Sequence, residues 1–309
     1  MNSNLAIVIP AYKSAFLDAT LQSFVAQTNQ HFVVYIGDDC SPENLRLIVD
    51  TYKGKLNIVY KRFDTNIGGQ SLVQQWRRCV AMSKEKYIWL FSDDDLLPPD
   101  AVERFWQFEN QYRGIFDICR LPMELIDRNG NYMLKLEDYP EYISSESYLK
   151  KRLSCEILSS ASEYIFTRDI YDKYGFVEFP LAWCSDDASW AQMAKEKGLH
   201  TLNGKPVKLR MSGENISSLD DNHIAKLHAN MLYVEWIYKH FDIQECFLYK
   251  YLSAKMWSDI GIRHRSKVWK LKCITVYHRL LLIINNRYAY KMAKYIQYFS
   301  KDKHNEYTQ

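Results

Sequence analysis

The first 120 residues alternate between two hydrophobic periods. LAIVI (5–9), FVVYIG (32–37), LNIVYKR (56–62), YIWLF (87–91) and IFDICRL (115–121) are short apolar runs rich in β-branched and aromatic residues. Runs of this length, bounded by polar turns, predict strands in a sheet buried on both faces. Between them lie longer segments with apolar residues three and four apart. In KSAFLDATLQSFVAQ, the spacing of Phe16, Leu17, Leu21, Phe24 and Val25 predicts an amphipathic helix. PENLRLIVDTY, with Pro42 near a helix start, GGQSLVQQWRRCVAM and PPDAVERFWQFENQ predict further helices. Strands and helices that alternate at these lengths build βαβ units. The expected fold class is therefore α/β: a mostly parallel, Rossmann-like sheet with helices on both faces.

After about residue 122 the pattern loosens. It still predicts a helix near 145–154, a strand or turn through EYIFT (163–167) and a helix over 186–197 ended by Gly198. TLNGKPVKLR (201–210) reads as extended, and residues 221–300 read as several helices. There is no internal repeat, low-complexity segment or obvious linker.

Composition changes this picture in one place. The shares of apolar (47%) and charged (25%) residues are those of an ordinary globular chain, and the net charge is only +3. The charge is uneven, however. From Arg263 to Gln309 there are eleven Lys or Arg against two acids, Asp302 and Glu306. Such a tail suggests an anionic partner without naming it. The seven cysteines include no CxxC pair, which argues against a zinc or redox motif and suits reduced thiols in a cytoplasmic protein. MNSNLAIVIP reads as a strand, not a signal peptide, and no apolar run reaches the roughly 18 residues of a membrane span.

The candidate chemistry lies where the strands end. In a covered parallel sheet the ligand site lies beyond the carboxyl ends of the strands. Here those ends are PAYK, DDCSPE, FDTNIGG and SDDD. Asp93, Asp94 and Asp95 follow a buried run directly, where adjacent like charges repel. Hard oxygen donors in that position suit Mg²⁺ or Mn²⁺, which bind one or two carboxylates together with substrate phosphates. A solvated turn before a helix needs only one such acid. An EF-hand loop is excluded because Pro98 falls where Gly is required and Arg104 where Glu is required.

Taken in order, IVIPAY, IGDDCSPEN, DTNIGG and FSDDDLLPPD resemble the family 2 glycosyltransferases of the GT-A fold. Their pattern is an IPxYN-like first turn, a VDDGSxD-like second turn, an N-x-G third turn and a DxD element followed by PD. The resemblance spans residues 5–100. It implies an inverting, metal-dependent transferase that uses a nucleotide-sugar donor, with UDP as the favoured base. Pro10, Ala11 and Tyr12 would wall the nucleotide pocket, and Asp39, with Asp38, would accept from a nucleobase N–H. Asn66 and Gly68 would lie along the ribose and diphosphate. Asp93 would face the ribose, and Asp94 with Asp95 would hold the metal. Asp38 and Asp39 could instead cap the following helix, and Gly68-Gly69 could simply turn the chain.

The resemblance extends weakly beyond residue 100. PLAWCSDDASW carries Asp186 and Asp187 at a helix start, where the family places an acidic pair. Its second member acts as base on the acceptor hydroxyl, which points to Asp187, with Asp186 in reserve. Both could also be capping acids at the positive end of a helix. Arg210, in KLRMSGENISS, would pair with the diphosphate, or equally form a salt bridge on an exposed strand. Ser92 stands where the family often begins its DxD, one residue before Asp93, and Ser212 stands where a His is expected. These departures keep open an inactive, glycosyltransferase-like binding or scaffold protein.

The implied organisation is a catalytic domain over 1–218, with a nucleotide-sugar half (1–121) and an acceptor half (122–218), followed by a basic helical region over 219–309. The acceptor would be a glycan or a lipid-linked glycan, in cell-surface polysaccharide synthesis. The basic tail could contact the inner face of the membrane peripherally or pack as helices on the domain. No nucleic-acid motif accompanies its charge.

Overall fold

The computed structural model describes residues 4–135, 139–213, 223–245, 247–248, 251–252 and 255. Four strands form its first half: β1 (Leu5–Ala11), β2 (Val33–Asp38), β3 (Ile58–Arg62) and β4 (Tyr87–Leu90). All are parallel, in the spatial order β3-β2-β1-β4, so their carboxyl ends share one edge. Helices α1 (Leu17–Val25), α2 (Leu45–Asp50), α3 (Leu72–Val80) and α4 (Ala101–Tyr112) form the crossovers. Pro98 and Pro99 precede α4 rather than opening it, and the residue before its first turn is Asp100.

The strands are buried on both faces, and successive residues of β1 serve opposite cores. Leu5, Ile7 and Ile9 pack with α1, α2 and α4, whereas Ala6 and Val8 pack with α3. This is the side-chain alternation of a pleated strand.

The second half breaks the parallel pattern. Strand β5 (Ile118–Arg120) does not pair with β4. Instead β9 (Tyr164–Thr167), the EYIFT segment, inserts between them antiparallel to both. β10 (Leu199–Thr201) and the two-residue β8 (Tyr142–Ile143) complete an eight-stranded sheet, β3-β2-β1-β4-β9-β5-β10-β8. A second sheet combines β6 (Met123–Asp127), β7 (Tyr132–Lys135) and β11 (Val207–Met211) in the order β11-β6-β7. The sequence pattern did not indicate β6, β7 or β8.

Helices α5 (Ser145–Leu153), α6 (Arg168–Tyr174), α7 (Ser185–Met193) and α8 (His223–His240) lie on the α3 side, where Tyr148, Ile170, Trp190 and Tyr233 share one core. A short 3-10 turn over Ala161–Glu163 leads into β9. No helix among the described residues is long and apolar enough to cross a membrane. The basic stretch from Arg263 onward lies outside the described residues.

Candidate active site

The turns after β1, β2 and β4 are stitched together by carboxylates. Asp93 follows β4, and its Oδ2 accepts from the backbone N–H of Tyr12 (2.9 Å) and Lys13 (3.1 Å) beyond β1. Asp39 follows β2, and its own N–H donates to the Ala11 carbonyl at 2.9 Å. Asp39 Oδ1 accepts from Ile67 N (2.9 Å) and Oδ2 from Gly68 N (2.8 Å), while Arg78 of α3 pairs with Oδ1. Asp39 therefore grips the third turn, and it does so closely. A Cβ on Gly68 would fall 2.4 Å from Asp39 Oδ2, so only glycine fits. Asn66 holds the same turn by accepting from Gly69 N at 2.8 Å.

Asp38 serves a different purpose. It is fully buried and accepts from Ser41 N (2.8 Å), the Tyr60 hydroxyl (2.5 Å) and Arg62 Nη1 (2.9 Å). All these partners belong to the protein, which makes Asp38 a brace between β2 and β3. Neither Asp38 nor Asp39 caps α2, whose Asn44 cap position receives no side-chain hydrogen bond. Pro10 and Ala11 are the last residues of β1, and Tyr12 is 39% exposed beside them.

The three adjacent acids after β4 diverge in the same way. Asp95 is buried. Its Oδ2 accepts from Ser162 Oγ (2.6 Å) and its Oδ1 from Arg210 N (2.9 Å). Asp94 is half-buried, and its carboxylate accepts no hydrogen bond among the described residues. Burial, and then the charges of Asp95 and Asp93, push the Asp94 carboxyl up to about 8. Burial raises Asp93 as well, against the pull of the Tyr12 and Lys13 N–H groups. Asp95 rises to about 6, burial outweighing the Ser162 and Arg210 hydrogen bonds. This concentration of negative charge is what a divalent cation would relieve. Asp94 has the free oxygens to take one, and Asp95 has both of its oxygens engaged. Among the described residues no group of three His, Cys, Asp or Glu could hold a metal by itself. A cation here would therefore need oxygens from a substrate.

Arg210 lies on β11. Its Nε donates to the Asp94 carbonyl (2.9 Å), and its Nη1 donates to the carbonyls of Arg128 (2.9 Å) and Asp127 (3.3 Å). The guanidinium also sits 4.5 Å from the Phe16 ring centroid. It fastens the β6–β7 turn to the acidic turn.

The acceptor-side acids sit at the first turn of α7 and share none of these bonds. Asp187 is buried. It receives Arg152 through Nε (2.7 Å) and Nη2 (2.6 Å), and the Tyr148 hydroxyl at 3.0 Å. Asp186 is half-buried, and no other side chain among the described residues donates to it. Burial, and then the charge of Asp187, raise the Asp186 carboxyl to about 7. A carboxyl near 7 is suited to proton transfer at neutral pH. Among the described residues Asp186 is thus the less engaged of the two acids, with backbone N–H groups as its partners where Asp187 has Arg152 and Tyr148.

Sequence reasoning missed Arg78, Arg152, Tyr148 and Ser162. Each lies far along the chain from the acid it serves, at separations of 39, 35, 39 and 67 residues. Arg78 alone carried a signal. It falls in the last turn of α3, the helix that follows the Asn66–Gly69 segment.

Comparison with known proteins agrees with this architecture. The family model for glycosyl transferase family 2 matches residues 6–173, just over half of the 309-residue chain. An uncharacterised glycosyltransferase of Haemophilus influenzae is 26% identical over 208 residues, covering 59% of this chain and 68% of its own. A chondroitin synthase of Pasteurella multocida is 48% identical over 63 residues, which are 20% of this chain and 6% of the synthase. Among solved structures, residues 1–349 of Staphylococcus aureus TarS in complex with UDP-GlcNAc align with a TM-score of 0.63 and 18% identity. The alignment covers 87% of this chain and 76% of that one. A Pyrobaculum calidifontis mannosyltransferase, in complex with GDP-Man and Mn²⁺, aligns with a TM-score of 0.56 and 10% identity, over 97% of this chain and 88% of that one. At these identities the two structures speak for the shared fold alone. With a family match over half the chain, a GT-A sheet and an acidic rim at its carboxyl edge, this chain belongs to glycosyl transferase family 2 and is a glycosyltransferase.

Proposed function

We propose that the protein transfers a sugar from a UDP-linked donor to a glycan or lipid-linked acceptor hydroxyl, with inversion at the anomeric carbon. The observation that carries this reading is the Asp94 carboxylate. It accepts no hydrogen bond among the described residues, is flanked by Asp93 and Asp95, and is set at the carboxyl edge beside the turn after β1. Such a group fits a Mg²⁺ or Mn²⁺ ion shared with a diphosphate, and that ion would offset the charge of the departing nucleotide.

The protein's own residues supply the rest. Pro10, Ala11 and Tyr12 form one wall of the nucleotide pocket. Asp39 Oδ2 accepts one protein N–H and keeps a second lone pair for a nucleobase N–H, with the Arg78 guanidinium beside it as a donor. A uracil edge offers the complementary N–H and carbonyl. TarS, one of the structural neighbours, is described with UDP-GlcNAc, which supports the same base. Asn66 and Gly68 let the chain run close to the ribose, and Asp93 faces it. Arg210 adds positive charge beside the diphosphate. Asp186 takes the acceptor proton as the acceptor oxygen attacks the anomeric carbon from the face opposite the departing diphosphate. Asp187 is held by Arg152 as its neighbour.

The setting is the cytoplasmic side of a membrane, in cell-surface polysaccharide synthesis, with peripheral contact through the basic tail. Thermal-shift measurements with UDP, GDP and UDP-GlcNAc, each with and without Mn²⁺, test the donor reading. Stabilisation by UDP that depends on Mn²⁺ is expected. A preference for GDP would reject the Asp39–Arg78 assignment, and no response to any of the three would reject the donor site.

A further inference from the structure

The acceptor-side acids stand on a turn that its own residues do not favour. Leu181 (φ 60), Ala182 (φ 54) and Cys184 (φ 62) all adopt left-handed backbone, and none is glycine. Each carries a steric cost for its Cβ. Such conformations persist where the surroundings over-determine them. Within the segment three bonds contribute: Phe179 N to Ser185 Oγ (2.9 Å), Ala182 N to the Phe179 carbonyl (3.0 Å) and Trp183 N to the Pro180 carbonyl (3.1 Å). From outside the segment the Tyr251 hydroxyl reaches Cys184 Sγ at 3.6 Å, Lys226 lies over the Trp183 ring, and one side chain on α8 reaches both Trp183 and Cys184.

That side chain is Asn230, buried at 4% exposure. Its Oδ1 accepts from Trp183 Nε1 (3.3 Å) and Cys184 Sγ (3.5 Å) in the turn, and from the Tyr251 hydroxyl (2.6 Å) behind it. Its Nδ2 donates to the Lys226 carbonyl at 2.9 Å, which fixes the orientation of the amide. Cys184 is the residue immediately before α7, two positions from Asp186. One amide thus ties the left-handed turn to a helix more than 40 residues away.

We propose that Asn230 is a positioning residue for sugar transfer, holding the 181–184 turn and through it the Asp186 carboxylate in the orientation that meets the acceptor. The inference rests on the function proposed above. It makes α8 part of the acceptor machinery. The groups around Asp186 are Asp187 on its own helix, Arg152 from α5, Tyr233 from α8 and Cys184 from the turn, with Tyr148 and Tyr251 behind them. Loosening the turn would let Asp186 into solvent and lower its apparent pKa.

The test uses the full chain, UDP-GlcNAc with Mn²⁺, and water as the acceptor, so no acceptor need be known. Hydrolysis is followed against pH, and UDP binding is measured in parallel. Asn230→Leu should lower kcat at least tenfold, leave UDP affinity within twofold, and shift the acid limb of the profile to lower pH. Trp183→Phe, which removes one tie to the turn, should give a smaller loss of the same kind. Tyr251→Phe, which keeps both Asn230 ties and removes only the 3.6 Å contact of the Tyr251 hydroxyl with Cys184 Sγ, should give the smallest loss of the three. A parent-like kcat for Asn230→Leu would overturn the proposal. So would an equal loss in all three variants with UDP affinity falling in step, since that pattern marks packing alone. If the parent neither binds UDP nor hydrolyses the donor, the proposed function fails first and this inference with it.

Discussion

The donor rim and the acceptor turn each carry acids of two kinds. At the rim, Asp38, Asp39, Asp93 and Asp95 spend their oxygens on N–H and O–H groups of the protein, and Asp94 does not. At the acceptor turn, Asp187 is taken up by Arg152 and Tyr148, and Asp186 is not. The two regions differ in what holds them. The rim is built from the ends of neighbouring parallel strands, to which the second half adds Ser162 and Arg210 as partners of Asp95. The acceptor side is held by helices that are distant in sequence: α5 through Arg152 and Asp187, and α8 through Asn230 and the left-handed turn. An acid in a cluster can remain available only if its neighbours are engaged, because engagement fixes the geometry around it.

The sharpest way to break this comparison is to remove the two free acids separately. Asp186→Asn should reduce transfer or donor hydrolysis by about 10² to 10⁴-fold, the usual worth of a general base, with UDP binding preserved. If Asp187→Asn shows that loss and Asp186→Asn does not, the roles are exchanged. Hydrolysis should also rise with pH through about 7, because Asp186 must be deprotonated to act and its carboxyl is raised to about 7. Asp94→Asn should abolish the Mn²⁺-dependent part of the UDP thermal shift. An unchanged shift would move the metal elsewhere.

The engaged acids should instead report on stability. Arg152→Gln leaves the buried Asp187 without its main partner and should destabilise the fold by roughly 3–5 kcal/mol, read by denaturant unfolding. At the rim, Gly68→Ala forces a Cβ onto Asp39 Oδ2 and should cost about 1–3 kcal/mol, with weaker UDP binding. A neutral result in either variant would mean that the corresponding carboxylate can move freely.

A further effect on stability concerns Glu163, the sequence neighbour of Ser162. It is fully buried, and burial raises its carboxyl to about 8, above the ordinary value of 4.5. The folded state therefore keeps a proton that the unfolded state has lost. Its contribution is fully present below pH 4.5 and is lost as pH rises through about 8. Glu163→Gln removes that dependence, so melting temperature should fall less steeply between pH 5 and 8 than in the parent. Equal slopes would show that Glu163 does not titrate in this window.

The parallel half was legible because its signals are local. A strand buried on both faces reads as a continuous apolar run, and a crossover helix reads by its period. β6, β7 and β8 escaped because they are short and half-exposed, and their partners are distant in sequence. β9 could be read as a strand, but its antiparallel place between β4 and β5 could not.

What the sequence determined by itself was the order of strands and helices in the first half, and hence the gathering of PAYK, DDCSPE, DTNIGG and SDDD at one edge. Hydrophobic period fixes element type, and right-handed crossovers fix the side on which chain ends meet. The tertiary structure alone decided which acid at each place stays free. A carboxylate's availability depends on donors brought close by folding, such as Ser162 for Asp95 or Arg152 for Asp187, and their separation along the chain leaves no local pattern to read.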